Sequence, residues 1–342
     1  MNILISFTLS LIISLIVTPW IRRKAFIIGG IDIPTDRKVH NKPIPRIGGV
    51  SFFLGVLIVN ILFNRSLIVE RILMGGTLVF LVGLLDDFVE LKPAPKFSLT
   101  FIAILMAVIL GVRVDLWRIP YTGIIIKGFW AHLISFIWLL GIANAMNFID
   151  GLDGLAGGVS AISSFSLLII SLLLGRLEMA FLLASILGGV LGFLFFNFPP
   201  ASIIMGDSGA MFLGFILGAI SIVGVLKIST IINLFIPILV MGFPVLDTAF
   251  SIVRRLIEGR APWKFDKDHI HHRFLKIGMT TEQSIAFIYL FTICMSLVAI
   301  LISLIQDPYI SALLVFGTLF LILFILKKLG VLEIRRNGDG KV

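Results

Sequence analysis

Asn144, Asn147, Asp150 and Asp153 recur at every third residue in the stretch Asn144-Ala-Met-Asn-Phe-Ile-Asp-Gly-Leu-Asp-Gly-Leu-Ala-Gly-Gly158. On a helix that spacing predicts two amides and two carboxylates near one face, drifting slowly round it. The residues from Leu133 to Ile142 and from Val159 to Leu174 are almost wholly apolar. The acidic face therefore falls where a membrane helix runs out into water. Carboxylates buried there are costly without a cation or a basic partner. A glycine-rich turn between two helices is the plainer reading, but it does not call for amides and carboxylates in phase.

Four further motifs bear on the same chemistry. Asp86-Asp87 is a carboxylate pair that wants a cation or a proton. It is followed by Lys92 and Lys96, which suits a base or metal ligand beside a phosphate-binding lysine. In Met205-Gly-Asp-Ser-Gly209, Asp207 stands between glycines that let backbone approach a ligand. The helix amides after Asp207 could meet phosphate oxygens, or Asp207 could simply cap the helix. His269-Ile-His-His-Arg273 follows Arg254, Arg255, Arg260 and Lys264. Those basic neighbours favour pyrophosphate over zinc, although Asp266 and Asp268 leave zinc open as an alternative. His269, His271, His272 and Arg273 are the candidate contacts. In Asp36-Arg-Lys-Val-His-Asn-Lys-Pro-Ile-Pro-Arg-Ile-Gly-Gly49, Arg46 beside the glycines could hold a phosphate.

These motifs must be positioned by membrane helices. Of the 342 residues, 58% are hydrophobic and 14% charged, and the mean hydropathy is +1.12. A soluble chain carries about 25% charge, and many apolar runs here reach the roughly 20 residues that span a bilayer. The class expected is an all-α polytopic membrane protein, one domain over 1–342, its backbone groups satisfied within each helix. Eleven spans are expected, at 2–20, 47–64, 69–85, 96–112, 131–147, 158–174, 178–196, 209–226, 231–251, 284–305 and 309–326. The polar stretches 21–46, 86–95, 148–157, 197–208 and 252–283 are expected as inner loops. A lone cysteine, Cys294, excludes an intrachain disulfide.

Lys and Arg orient the bundle. With eleven spans, 21 of the 28 basic residues fall on one side, which is then cytoplasmic. The N-terminus is expected outside and the C-terminus inside. The net charge of +9 reflects this topology and needs no nucleic acid. Asp86, Asp87, Asp150, Asp153, Asp207 and Asp247 all lie at the inner ends of apolar runs, on the side of the basic loops. A metal-assisted, anion-handling site at the inner membrane surface accounts for both signs of charge. An ion-coupled transporter is the rival class, but transporters place ionisable groups near the midplane, often in repeated halves.

Taken in order, DRKVHNKPIPRIGG, DDFVEL, NAMNFIDGLDGLAGG, MGDSGAMFLG and HIHHRF resemble the motifs of the polyprenyl-phosphate N-acetylhexosamine-1-phosphate transferases, glycosyltransferase family 4. The interrupted histidine run is more similar to the bacterial GlcNAc-1-phosphate branch than to the MurNAc-pentapeptide branch, which usually has three contiguous histidines. The resemblance implies transfer of a sugar 1-phosphate from a UDP-HexNAc to undecaprenyl phosphate, with release of UMP. It implies Mg²⁺, with Mn²⁺ as a substitute, in the cytoplasmic membrane, with a homodimer as one possible assembly. It matches Asp207 to the metal-binding aspartate and Asn147 to a metal-adjacent amide. Asp150 and Asp153 match supporting acids, and Asp86 and Asp87 the candidates for base or metal contact. Lys96 matches a phosphate-contacting lysine, and His269, His271 and His272 the diphosphate motif. Asn144 is carried with them as a substrate contact.

Overall fold

A computed structural model describes residues 2–32, 43–118, 125–224, 231–260, 269–305 and 307–331. The basic loop positions Asp36 to Lys42, together with Lys264, Asp266, Lys267 and Asp268, lie outside them.

The apolar runs fold as helices because a helix bonds its own backbone groups and leaves none for lipid. In chain order they are α1 (Ile3–Ile28), α2 (Gly49–Phe63), α3 (Leu67–Val89), α4 (Pro93–Ile109), α5 (Phe129–Ile149), α6 (Leu155–Leu173) and α7 (Leu177–Asn197). There follow α8 (Gly206–Ala219, prolonged by a π turn to Gly224), α9 (Ile231–Val240), α10 (Gly242–Ile257), α11 (Ile270–Lys276), α12 (Thr281–Leu304) and α13 (Pro308–Lys328). Two antiparallel ribbons complete the described chain: β1 (Ile31–Asp32) with β2 (Ile44–Pro45), and β3 (Leu116–Arg118) with β4 (Ile125–Lys127). Among the described residues eight helices are long and apolar enough to cross a bilayer, and α2 and α4 are shorter apolar helices.

Three differences from the sequence reading matter for the site. The expected span 231–251 is two helices, α9 and α10, broken at Met241. Pro244 lies in the first turn of α10, where its missing N–H costs nothing. Second, α3 runs on to Val89, so Asp86 and Asp87 belong to its last turn and not to a loop. Third, α5 stops at Ile149 with Asp150 as its C-cap, and Gly154 (φ +77°) opens α6. Asn144, Asn147, Asp150 and Asp153 therefore do not share one helix face. The turn through Gly151 and Gly154 sends the two carboxylates in different directions.

At the centre stands α8, enclosed by α2, α3, α5 and α6. Its side chains from Ser208 to Ala219 are all buried. Without a hydrophobic drive in lipid, helices associate by close packing of small residues. A Cβ on Gly49 of α2 would lie 2.5 Å from the Gly209 backbone, and one on Gly83 of α3 would lie 2.6 Å from that of Ser208. The first turn of α8 is thus pressed directly between α2 and α3.

Candidate active site

The last turn of α3 and the first turn of α8 build the core of the site. Asp87 is buried, and its two carboxylate oxygens accept the Asp207 N–H at 2.8 Å and the Ser208 N–H at 3.0 Å. It therefore caps α8 from a neighbouring helix, taking up amides that an isolated N-terminus leaves open. Gly206 makes this possible. Its φ is +78°, and a Cβ there would sit 1.9 Å from the Arg46 carbonyl and 2.8 Å from both Asp87 oxygens. Asp207 is the second residue of α8 and not its cap. The amides expected to meet a phosphate are already given to Asp87.

Held this way, Asp207 faces Asp86 across Lys96. The Lys96 ammonium, from the first turn of α4, pairs with Asp207 and lies 3.1 Å from Asp86. Asp86 also accepts the Leu91 N–H at 2.8 Å and keeps an accessible edge. Arg46 clamps the end of α3. Its Nε donates to the Asp87 carbonyl at 2.8 Å, one terminal nitrogen to the Asp86 carbonyl at 3.1 Å, and the other meets Glu90 at 3.1 Å. Donors on helix-terminal carbonyls satisfy groups the helix cannot, so the expected phosphate ligand is engaged with α3.

The α5–α6 turn closes a second side. Asp150 is partly exposed at its surface yet ringed by protein atoms. That burial, then the charges of Asp207, Asp87 and Asp153, push its carboxyl well above the usual carboxylate range. Asp153 points away and accepts the Ala201 N–H at 2.9 Å, tying the turn to the segment before α8. Asn144 donates back to the Leu140 carbonyl at 2.7 Å within α5. Asn147 has a buried Nδ2 with no partner among the described residues.

The histidines arrive on α11, a short helix absent from the sequence reading. His271 is fully buried, and a Cβ on Gly151 would be 2.8 Å from its Nε2. Glycine at 151 therefore admits the imidazole to the acidic turn. Burial, reinforced by His272 and His269 and opposed by Asp247, takes His271 down to about 3. It is neutral at physiological pH, and both ring nitrogens lack partners among the described residues. His269 lies under it, rings 5.7 Å apart and nearly parallel, and is bonded to Asp247. His272 packs beside His271. Arg273 donates to the Val331 carbonyl at 2.7 Å and stacks over Phe250, turned towards the C-terminal segment.

Asp86, Asp87, Lys96, Asp150 and Asp207 thus converge with His271 and Asn147 at one end of the bundle. Of the four carboxylates there, Asp86 and Asp207 share Lys96 while Asp87 takes the first amides of α8. Among the described residues no three His, Cys, Asp or Glu side chains form a metal cage. Mg²⁺ needs none, because one or two carboxylates with waters and substrate phosphates usually hold it.

The described helices thus form a membrane-type bundle with an acidic site at one end. A family model described as glycosyl transferase family 4 matches residues 70–225, which run from α3 to just beyond the π turn. The chain belongs to that family. It is similar to the "Probable undecaprenyl-phosphate N-acetylglucosaminyl 1-phosphate transferase" of Bacillus subtilis (strain 168), with 34% identity over 305 residues, covering 88% of this chain and 85% of that protein. The "Decaprenyl-phosphate N-acetylglucosaminephosphotransferase" of Mycolicibacterium smegmatis is 33% identical over 311 residues, 82% of this chain and 77% of that one. A "Phospho-N-acetylmuramoyl-pentapeptide-transferase" of Desulforamulus reducens is 30% identical over 280 residues, 75% of this chain and 81% of that one. The family sets the transporter reading aside.

Proposed function

We propose that the protein transfers N-acetylglucosamine 1-phosphate, or a closely related HexNAc 1-phosphate, from its UDP-sugar to undecaprenyl phosphate. The observation that carries this reading is the meeting of Asp86, Lys96 and Asp207 at the end of the bundle where nitrogens of His271 and Asn147 have no partner among the described residues. The names of the Bacillus and Mycolicibacterium relatives favour this sugar over MurNAc-pentapeptide.

One substrate is soluble and the other cannot leave the bilayer, so a site at a helix end is where they can meet. An oxygen of the lipid phosphate attacks the phosphorus attached to the sugar. A new P–O–P bond forms as the bond to UMP breaks, and UMP leaves with the electron pair. Phosphoryl transfer of this kind depends mostly on positioning and electrostatics. Asp86, the most accessible carboxylate of the α3 pair, accepts a proton from the lipid phosphate and keeps it fully ionised. Lys96 turns from the carboxylates to a phosphate oxygen. Neutral His271, from α11, and the Asn147 amide, from the last turn of α5, donate to the diphosphate. Asp87 and Asp153 position α8 and the turn before it. Asp207 and Asn147 would hold Mg²⁺, which when bound offsets the charge of the diphosphate and of departing UMP.

The test is UMP release by purified protein from UDP-GlcNAc, UDP-GalNAc and UDP-MurNAc-pentapeptide, each with and without undecaprenyl phosphate. Release from UDP-GlcNAc that requires the lipid, ceases in EDTA and returns with Mg²⁺ or Mn²⁺ is the expected result. Asp207→Ala should remove it while the protein remains folded. No lipid-dependent release from any donor would overturn the reading. We place the site on the cytoplasmic face of the cell membrane, on the asymmetry of Lys and Arg. Impermeant thiol reagents applied outside should then label cysteines at Arg65 and Asp307 and miss those at Lys92, Asn147 and His271. Outside labelling at His271 would reverse the orientation.

A further inference from the structure

Among the described residues, Asp247 is the remaining buried acid at this end of the bundle. It lies in α10, one turn beyond the break from α9, and is fully buried. One carboxylate oxygen lies 2.7 Å from His269 Nδ1, and the other accepts the Ile270 N–H at 2.5 Å. Ser251, one turn further along α10, meets the same Nδ1 at 3.2 Å. A single carboxylate therefore grips both the ring and the first helical amide of the segment that carries the histidines.

We propose that Asp247 is a positioning residue of the transfer reaction: through the His269 Nδ1 proton it fixes the tautomer and ring plane of His269, and so the stack that seats His271 against Gly151.

The chemistry of the pair leads there. A carboxylate oxygen is an acceptor, so the 2.7 Å contact calls for the ring proton on His269 Nδ1 and turns Nε2 to the other side. A buried acid that selects an imidazole tautomer and sets its orientation is a recurrent device for histidines that meet metals or substrates. The His269 ring lies 5.5 Å from that of Phe148, which is flanked in sequence by Asn147 and, two residues on, Asp150. It lies 14° from parallel with His271. Rotation of His269 would take away the surface on which His271 rests, and His271 has no hydrogen bond among the described residues to hold it otherwise. The grip also joins α10, packed on α5, to the loop side of the site.

Asp247→Asn gives a specific prediction. The Asn carbonyl must stay on the Ile270 N–H, so its NH₂ turns to Nδ1 and converts His269 to the Nε2–H tautomer. Because this role rests on the transferase reading, the test begins with wild-type protein that releases UMP from UDP-GlcNAc in the presence of undecaprenyl phosphate. Without that release the function fails, and the role of Asp247 with it. Given an active wild type, Asp247→Asn should lower kcat/KM about 10- to 100-fold, the range seen when an outer partner of a working histidine is lost. Asp247→Glu should recover part of that loss.

A double-mutant cycle separates positioning from packing. On a His269→Ala background, Asp247→Asn should cost less than threefold more, because its effect passes through the missing ring. ¹⁵N shifts of selectively labelled histidine should show one imidazole changing tautomer in Asp247→Asn, with the elution profile in detergent unchanged. Full additivity in the cycle, or unchanged histidine shifts, would overturn the proposal and leave the transferase reading standing. If Asp247→Asn does not fold, Ser251→Ala serves in its place. It should cost a few-fold in kcat/KM alone and nothing further on the His269→Ala background, and additivity there would be equally decisive.

Discussion

Asp87→Asn separates a structural carboxylate from a chemical one. Asp87 is 3% exposed and its two oxygens take the Asp207 and Ser208 amides. A hydrogen bond to a charged acceptor contributes about 1.5–3 kcal/mol net, and a buried amide left without an acceptor costs about 1–3 kcal/mol. Asparagine preserves one acceptor and turns an NH₂ towards the second amide, so one bond is lost and two donors are opposed. The expected cost is about 2–3 kcal/mol. Chains of 150–250 residues lose about 2–4 °C per kcal/mol, and a chain of 342 residues loses about 1.5 °C, so a drop of roughly 3–5 °C in Tm is expected here. Activity should fall as well, because the first turn of α8 carries Asp207. That fall should not depend on pH. Thermal unfolding in detergent and kcat against pH, measured on the same preparations, provide the test. Wild-type Tm with a loss recovered at high pH would show that Asp87 is the base and that its capping bonds are incidental.

Two further outcomes are expected. Asp86→Asn should lower kcat about 100-fold near pH 6, where a phosphate monoester is partly protonated, and recover towards pH 8 with KM for the UDP-sugar little changed; a pH-independent loss would make Asp86 a positioning group. His271, held at about 3 by burial, lies below the ordinary value of an unfolded imidazole, so the unfolded chain binds its proton first as pH falls. The stability that His271 contributes as a neutral group is complete above about pH 6.5 and is lost on the way down to about pH 3. The slope is at most about 1.4 kcal/mol per pH unit, or about 2 kcal/mol between pH 7 and pH 5. Tm at those two pH values should differ less in His271→Gln than in the wild type, and equal differences would refute the burial argument.

The helical class and most spans are legible because apolar length is a local property of the chain. The break within 231–251 left a weak mark, Gly242-Phe-Pro244, which an unbroken apolar run conceals. The β3–β4 ribbon and α11 are too short to compete with that pattern. The acidic residues at the site were visible as types at helix ends, but their division of labour was not. Whether a carboxylate in Asp86-Asp87 caps α8 depends on an amide 120 positions away. The partner of His269 stands 22 residues earlier, beyond the nearest polar loop. Arg46 and Arg273 read as phosphate ligands because charge is visible in sequence. The carbonyls that engage them are backbone atoms every residue has, so nothing in the sequence marks them.

The close backbones around α8 also decide how this protein will appear to genetics. At Gly49, Gly83, Gly206 and Gly209 even one methyl group meets main chain or a carboxylate within 3 Å. A saturation screen scored by growth or product would flag these four positions as strongly as Asp86 or Asp207, though none contributes a functional group. Sorting the hits by protein abundance would divide the alleles into those that remove a reagent and those that misplace one. For inhibitor resistance the same geometry narrows the options, since substitutions at the glycines disturb the first turn of α8 together with any compound seated on it. Viable escape alleles should come from side chains at the rim, where the chain has room to change.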